Sequence, residues 1–195
     1  IAVKRGHRAA AEAFLDHGIT GYNREESLQQ CDENRERINE LNKKMISAAY
    51  SGDNPGVEAA LEEGAEITTT DYYGDTGLHL SAEAGHHSVL LTLLSKGLDP
   101  NIRGSKRMTA LMMAAEKGQL SCLQTLLEHG ALTDLQDSSG LTALMYAAES
   151  NSPDIAGDLL ACQADVNIVN DDQKTALKLA VEKNNQDVVR ILNAE

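Results

Sequence analysis

The 195 residues suffice for one compact domain or a short repeat array. With aromatics at 3%, one Phe and no Trp, they lack the large side chains that usually fill a single thick core. Against 17 basic residues stand 30 acidic ones, a net charge of -13. That field repels nucleic-acid phosphates and anionic membranes, excluding both as expected partners and favouring a basic protein or peptide segment.

No apolar run approaches the roughly 20 residues of a membrane span, and no signal-peptide pattern is present. Cys31, Cys122 and Cys162 are far apart, odd in number and outside any C-x-x-C pair. They fit a reducing intracellular compartment, cytoplasm or nucleus.

In chain order, residues 1–22 come first. Gly6 and Gly18 share the spacing of Gly52 and Gly64 and of Gly85 and Gly97, so this stretch reads as the last part of a repeat copy. The chain opens on Ile1 rather than Met, and further copies upstream in a longer parent are expected. Residues 23–44 read as an insertion. Asn23 followed by Glu26 has capping-box form, and Leu28, Cys31, Ile38, Leu41 and Met45 fall at helical spacing. One long helix is predicted from about Arg24 to Tyr50, in place of the hairpin a repeat would normally carry. Arg35 and Asn42 interrupt a coiled-coil seam, so the expectation is a helix packed on the array of a monomer. A helix that binds a partner or dimerises is the alternative.

Residues 45–70 then read as a copy without its leading turn. Residues 71–103, 104–136, 137–169 and 170–195 align without gaps at a period of 33. Thr76, Thr109, Thr142 and Thr175 share a register, as do Leu78, Leu111, Leu144 and Leu177. Leu93, Leu126, Leu159 and Leu192 share another, and Ala82, Ala115 and Ala148 are followed by Val181. Each copy predicts a polar turn, a short helix such as Thr142 to about Ser150, and a second helix such as Pro153 to Ala161, with Pro suited to its first turn. Gly97 and Gly130 suit left-handed caps after the second helix. No copy buries its apolar stripe alone; stacked neighbours do so together. In the last copy Lys178 and Asn193 replace apolar residues, so 170–195 reads as a C-terminal capping repeat.

Thr76-Gly77-Leu78-His79-Leu80-Ser81-Ala82, Gly85-His86, Leu93-Leu94, Asp99-Pro100-Asn101 and Asp165-Val166-Asn167 resemble the ankyrin repeat family, over about Met45–Glu195 and part of the first 20 residues. The departures are Gly77, Ala110, Ala143 and Ala176, where the family pattern has Pro. The resemblance implies an all-α solenoid of helix-turn-helix units with hairpin tips. It also implies a concave groove that binds proteins through the turns and the exposed face of each first helix. Carried onto this chain, the helix position gives Tyr50, Glu83, Glu116, Glu149 and Glu182. The turns give Tyr72, Tyr73 and Asp75, then Lys106, Arg107 and Met108, then Leu141. The insertion and residues 1–22 cancel in charge, so the whole -13 belongs to 45–195 and an acidic groove is expected. Glu is also simply a good, soluble helix former, and the tyrosines admit packing between turns. Arg107 stands where Gly74 and Gly140 stand, a place that expects positive φ.

No phosphate loop, dinucleotide fingerprint or H-E-x-x-H is present, so no enzyme, cofactor or metal site is expected. Asp165-Val166-Asn167 is similar to the ankyrin pattern hydroxylated on Asn by an iron- and oxoglutarate-dependent hydroxylase, which marks Asn167 as a hydroxylation candidate. A mass of the Asn167 peptide unshifted at every oxygen level counts against that. The expected function is a protein-interaction module of a larger scaffold or regulatory protein. A rigid spacer, or a regulatory domain attached to a catalytic one, is the alternative.

Overall fold

The computed structural model describes residues 24–193. The partial copy read at 1–22 and the capping residue Asn23 lie outside the described residues. These consist of ten α-helices, one 3-10 turn and a single isolated β-bridge, Thr70 to Thr76. The helices are α1 (Arg24–Ser51), α2 (Asn54–Glu62), α3 (Gly77–Ala84), α4 (His87–Ser95), α5 (Ala110–Lys117), α6 (Leu120–Glu128), α7 (Ala143–Glu149), α8 (Pro153–Ala161), α9 (Ala176–Glu182) and α10 (Gln186–Leu192). They form antiparallel pairs. The first helices α1, α3, α5, α7 and α9 pack on one another in order, as do the second helices α2, α4, α6, α8 and α10. This is the all-α repeat solenoid that the periodicity predicts.

Local chemistry sets each boundary. Thr76, Thr109, Thr142 and Thr175 are all extended residues at the N-caps of first helices. The last three accept a hydrogen bond from the backbone N–H at the third helical position, each at 3.4 Å. First helices end before a left-handed residue: Gly52, Gly85, Gly118, Asn151 and Asn184, one every 33 positions. Asn tolerates that conformation because its short polar side chain bonds locally.

The core is built in layers. Leu78, Leu111 and Leu144, Ala82, Ala115 and Ala148, and Leu93, Leu126 and Leu159 are essentially inaccessible to solvent. Small Ala side chains let neighbouring first helices approach closely, while Leu and Met fill the space toward the second helices. In the last copy Lys178 and Asn193 are exposed, and Val181 is 56% exposed where its counterparts are sealed.

The insertion is not a separate element. α1 runs unbroken through residues 44 and 45, and its C-terminal half is the first helix of the first described pair. Cys31, Leu41, Met45, Ala48 and Ala49 form its buried stripe. Arg37 donates to the Glu63 carbonyl at 3.3 Å, and the Asn42 side chain accepts from Glu66 N at 2.8 Å. These bonds tie the long helix to the loop after α2.

Candidate protein-interaction surface

The turns between repeats project as hairpin tips, and their order comes from Asx chemistry. In three tips an Asp or Asn side chain accepts two backbone N–H bonds and closes the turn. Asp71 accepts from Tyr73 and Asp75, Asp137 from Ser139 and Leu141, and Asn170 from Asp172 and Lys174, all at 2.8–3.1 Å. The second tip has Gly104 at that position and lacks the acceptor. That tip is held from outside instead: Asp75 of the preceding repeat takes both Ser105 N and Ser105 Oγ at 2.8 Å. A Cβ on residue 104 would collide with that carboxylate. Lys106 and Arg107 are both left-handed here, with φ of 51° and 60°.

The tips are stapled in series. Ser105 N donates to Asp75, Ser138 N to the Lys106 carbonyl at 2.8 Å, and Asp171 N to the Ser139 carbonyl at 3.1 Å. A second series joins the helix ends. His86 Nε2 lies 3.0 Å from the Tyr50 carbonyl, Gln119 donates to the Glu83 carbonyl at 3.5 Å, and Asn185 donates to the Ala148 carbonyl at 2.7 Å. These three share a register of 33, a signal the sequence carried without revealing what it does; at its remaining member, Ser152, the bond passes to Ser150, which donates to the Ala115 carbonyl at 3.1 Å. The adjacent His87 points the other way, to Thr125 Oγ1 at 2.9 Å.

Two expected contact residues are withdrawn from the surface. Asp75 is 7% exposed and committed to Ser105, and Met108 is 7% exposed and packs into the core. Both sit where the hairpin turns inward to start a first helix, so their side chains point at the neighbouring repeat. Leu141, at the same register, is half-buried against the core. Tyr50, Tyr72, Tyr73, Lys106, Arg107, Glu116 and Glu182 are exposed, and Glu83 and Glu149 are half-exposed. Asn167 is exposed too, its side-chain amide donating to Asp165 at 3.1 Å.

The glutamate ladder is interleaved with lysines. Lys117 lies 3.4 Å from both Glu83 and Glu116, Lys183 is 3.9 Å from Glu149, and Lys174 is 2.6 Å from Glu182. The Lys174 hydrogen bond draws the Glu182 carboxyl below its usual range and raises the lysine. Burial works against the Lys117 ammonium, but its two glutamates outweigh that and raise it. Such solvated pairs contribute little stability each, yet they offset the charge that a basic ligand would meet.

An acidic groove is therefore not what the placement of charge gives. Residues 70–85, 103–118, 136–151 and 169–184 make the hairpins and the first helices α3, α5, α7 and α9. They carry Asp71, Asp75, Glu83, Glu116, Asp137, Glu149, Asp171, Asp172 and Glu182 against Arg103, Lys106, Arg107, Lys117, Lys174, Lys178 and Lys183, nine against seven. The second helices and their following loops carry Asp53, Glu58, Glu62, Glu63, Glu66, Asp99, Glu128, Asp134, Asp154, Asp158, Asp165 and Asp187 against Lys96 and Arg190, twelve against two. The acidity lies on the side away from the hairpin tips. Composition fixed its size, but only the helix pairing fixed its side.

What distinguishes the tip side is aromatic. Tyr72, Tyr73 and Tyr50 are 96%, 73% and 65% exposed. The Tyr72 and Tyr73 rings meet edge to face with centroids 5.5 Å apart. The three tyrosines, with Ile46 and Leu80, line a groove of about 760 Å³ between α1 and the first hairpin. Packing between turns does not account for side chains so exposed. Among the described residues no group of three or more His, Cys, Asp or Glu could hold a metal ion. No helix there is long and apolar enough to cross a membrane.

Comparison with known proteins agrees with this architecture. A family model described as ankyrin repeats in three copies matches residues 44–137, 78–170 and 130–195. The chain is similar to GA-binding protein subunit beta-1 of Homo sapiens, 38% identical over 64 residues, which is 33% of this chain and 16% of that protein. It is similar to the E3 ubiquitin-protein ligase XBAT32 of Arabidopsis thaliana, 32% identical over 69 residues, 34% of this chain and 14% of that protein. An ankyrin repeat protein of Rickettsia felis is 40% identical over 50 residues, 26% of this chain and 79% of that protein. The first two relatives are thus matched over only a small part of their length.

Proposed function

The chain belongs to the ankyrin repeat family, whose arrays are generally non-catalytic protein–protein interaction modules, and from that premise we propose that it binds a protein segment along its hairpin tips and first helices. One observation carries this placement: the tyrosines exposed on that side. Large aromatic side chains left in water are uncommon on a surface without a partner, and Tyr is enriched where interfaces gain most of their energy. The interleaved Glu and Lys side chains suit a partner of mixed or mildly basic charge rather than a strongly basic one. The acidic side of the second helices supplies solubility.

The test reverses charge on each side separately. In a pull-down read by mass spectrometry, Glu83→Lys, Glu116→Lys and Glu149→Lys together are expected to lose the captured proteins. Glu58→Lys, Glu62→Lys and Asp154→Lys together are expected to keep them, with both triple variants checked for wild-type helicity. The opposite pattern overturns the placement.

A further inference from the structure

Three hairpin tips hand a backbone N–H back to the tip before them: Ser105, Ser138 and Asp171. These positions recur every 33 residues, and the fourth member of the register is Tyr72. Among the described residues no hairpin precedes the first tip, because α1 runs straight through where one would stand. Among the described residues Tyr72 N has no acceptor. The series therefore ends in an open donor, like the unpaired group at the edge of a sheet.

That donor opens onto the tyrosine groove. Beside it stand the crossed Tyr72 and Tyr73 rings and Tyr50. Two carboxylates, Asp71 and Glu83, face the groove near Lys43; Asp75, which also lines it, is turned to Ser105, and Glu83 is shared with Lys117. Aromatic faces and carboxylates together favour a flat, weakly hydrated cation, which describes a guanidinium better than an ammonium.

We propose, resting on the interaction-module reading above, that this groove takes an extended segment of a partner protein in which an Arg is flanked by apolar residues. A carbonyl of the segment accepts from Tyr72 N–H, as the Lys106 and Ser139 carbonyls accept from the next tips. The guanidinium stacks on the tyrosine pair and faces the carboxylates. An apolar neighbour rests on Ile46 and Leu80. Main-chain bonding gives the docking, and the cation gives the choice of sequence.

The turn supplies a clean test of the donor. Tyr72 follows Asp71 in a turn closed by Gly74 N donating to the Asp71 carbonyl at 3.3 Å. That second position of the turn accepts Pro. Tyr72→Ala removes the ring and keeps the N–H, whereas Tyr72→Pro removes both. The probe is the blocked peptide Ac-Gly-Val-Arg-Val-Gly-NH2, with Gln in place of Arg as control. Both are titrated into the isotope-labelled full chain and followed by NMR.

A saturable shift of the Tyr72 amide with the Arg peptide is expected, and at least several-fold weaker binding of the Gln peptide. Tyr72→Ala and Tyr73→Ala are each expected to weaken binding roughly fivefold. Tyr72→Pro is expected to weaken it about threefold beyond Tyr72→Ala. Equal binding of the Arg and Gln peptides, shifts centred on another tip, no saturable shift, or equal loss in Tyr72→Ala and Tyr72→Pro overturns the proposal. If this test fails while the charge-reversal pull-down still succeeds, the groove assignment falls and the interaction-module reading stands.

Discussion

His79 is fully buried in an array whose equivalent positions hold Met112 and Met145. It survives there because both ring nitrogens are used. Thr76 N donates to Nδ1 at 3.2 Å, which fixes Nδ1 as an acceptor, and Nε2–H faces the Met108 carbonyl at 3.2 Å. Burial lowers its pKa from the usual 6.5, against a partial opposing pull from Asp75. The unfolded chain therefore binds a proton below about pH 6.5 that the folded chain resists, and the stability His79 contributes above that pH is lost as pH falls. His79→Met, borrowing the residue of the two neighbouring repeats, is expected to flatten this dependence. Urea midpoints at pH 7.5 and 5.5 should differ less in the variant than in the wild type. An unchanged difference would mean that other groups carry the acid sensitivity.

At the scale of the element, each hairpin is a small closed unit, and the second one is incomplete without its neighbour. Asp71, Asp137 and Asn170 close their own tips from within, whereas the Ser105 tip is held by Asp75 from the repeat before it. Asp75→Ala leaves Ser105 N without its acceptor at an interface between repeats, and a loss of about 2–3 kcal/mol in urea unfolding is expected. Gly104→Asp alone fails because the Asp75 carboxylate fills that space. A Cβ at 104 also meets His79 Nε2 at 2.9 Å, so Asp75→Leu combined with Gly104→Asp is made in the His79→Met background, where it reproduces the third hairpin with its Leu141, Asp137 and Met145 and should recover more than half of the loss. Simple additivity of the two single variants would contradict the coupling. The long helix obeys the same local logic. Its buried stripe continues at helical spacing into Met45, Ala48 and Ala49, so nothing ends it until Gly52 turns left-handed.

For the molecule as a whole, charge is partitioned between two sides. The second helices and their loops carry twelve acids and two bases within a few repeats of each other, and this crowding opposes folding. Screening relieves it, because the Debye length falls from about 30 Å at 0.01 M salt to about 8 Å at 0.15 M. Raising NaCl over that range is expected to raise Tm by about 2–4 °C, the shift that roughly 1 kcal/mol produces in a chain of this size. A fall in Tm would show that the Lys117, Lys174 and Lys183 pairs outweigh the repulsion. Thiol chemistry divides in a similar way. Burial pushes the Cys122 thiol up to about 11, whereas Cys162 is exposed.

By itself the sequence determined the repeat, the approximate span of its helices, the left-handed caps at Gly97 and Gly130 and the run of α1. These depend on spacing along one chain: a Thr where a first helix starts, a Gly after a second helix, apolar residues three and four apart. It also marked Tyr50, Tyr72 and Tyr73 as surface aromatics. Only the tertiary structure decided that Asp75 and Met108 turn inward, that His86, Gln119 and Asn185 tie helix ends across repeats, that the acidity lies away from the hairpin tips, and that Tyr72 ends the series of tip bonds. Each of these depends on what stands one repeat away, about 33 residues along the chain but within hydrogen-bonding distance in space. Periodicity announces such a neighbour, but the side chain it meets is settled only when the layers stack.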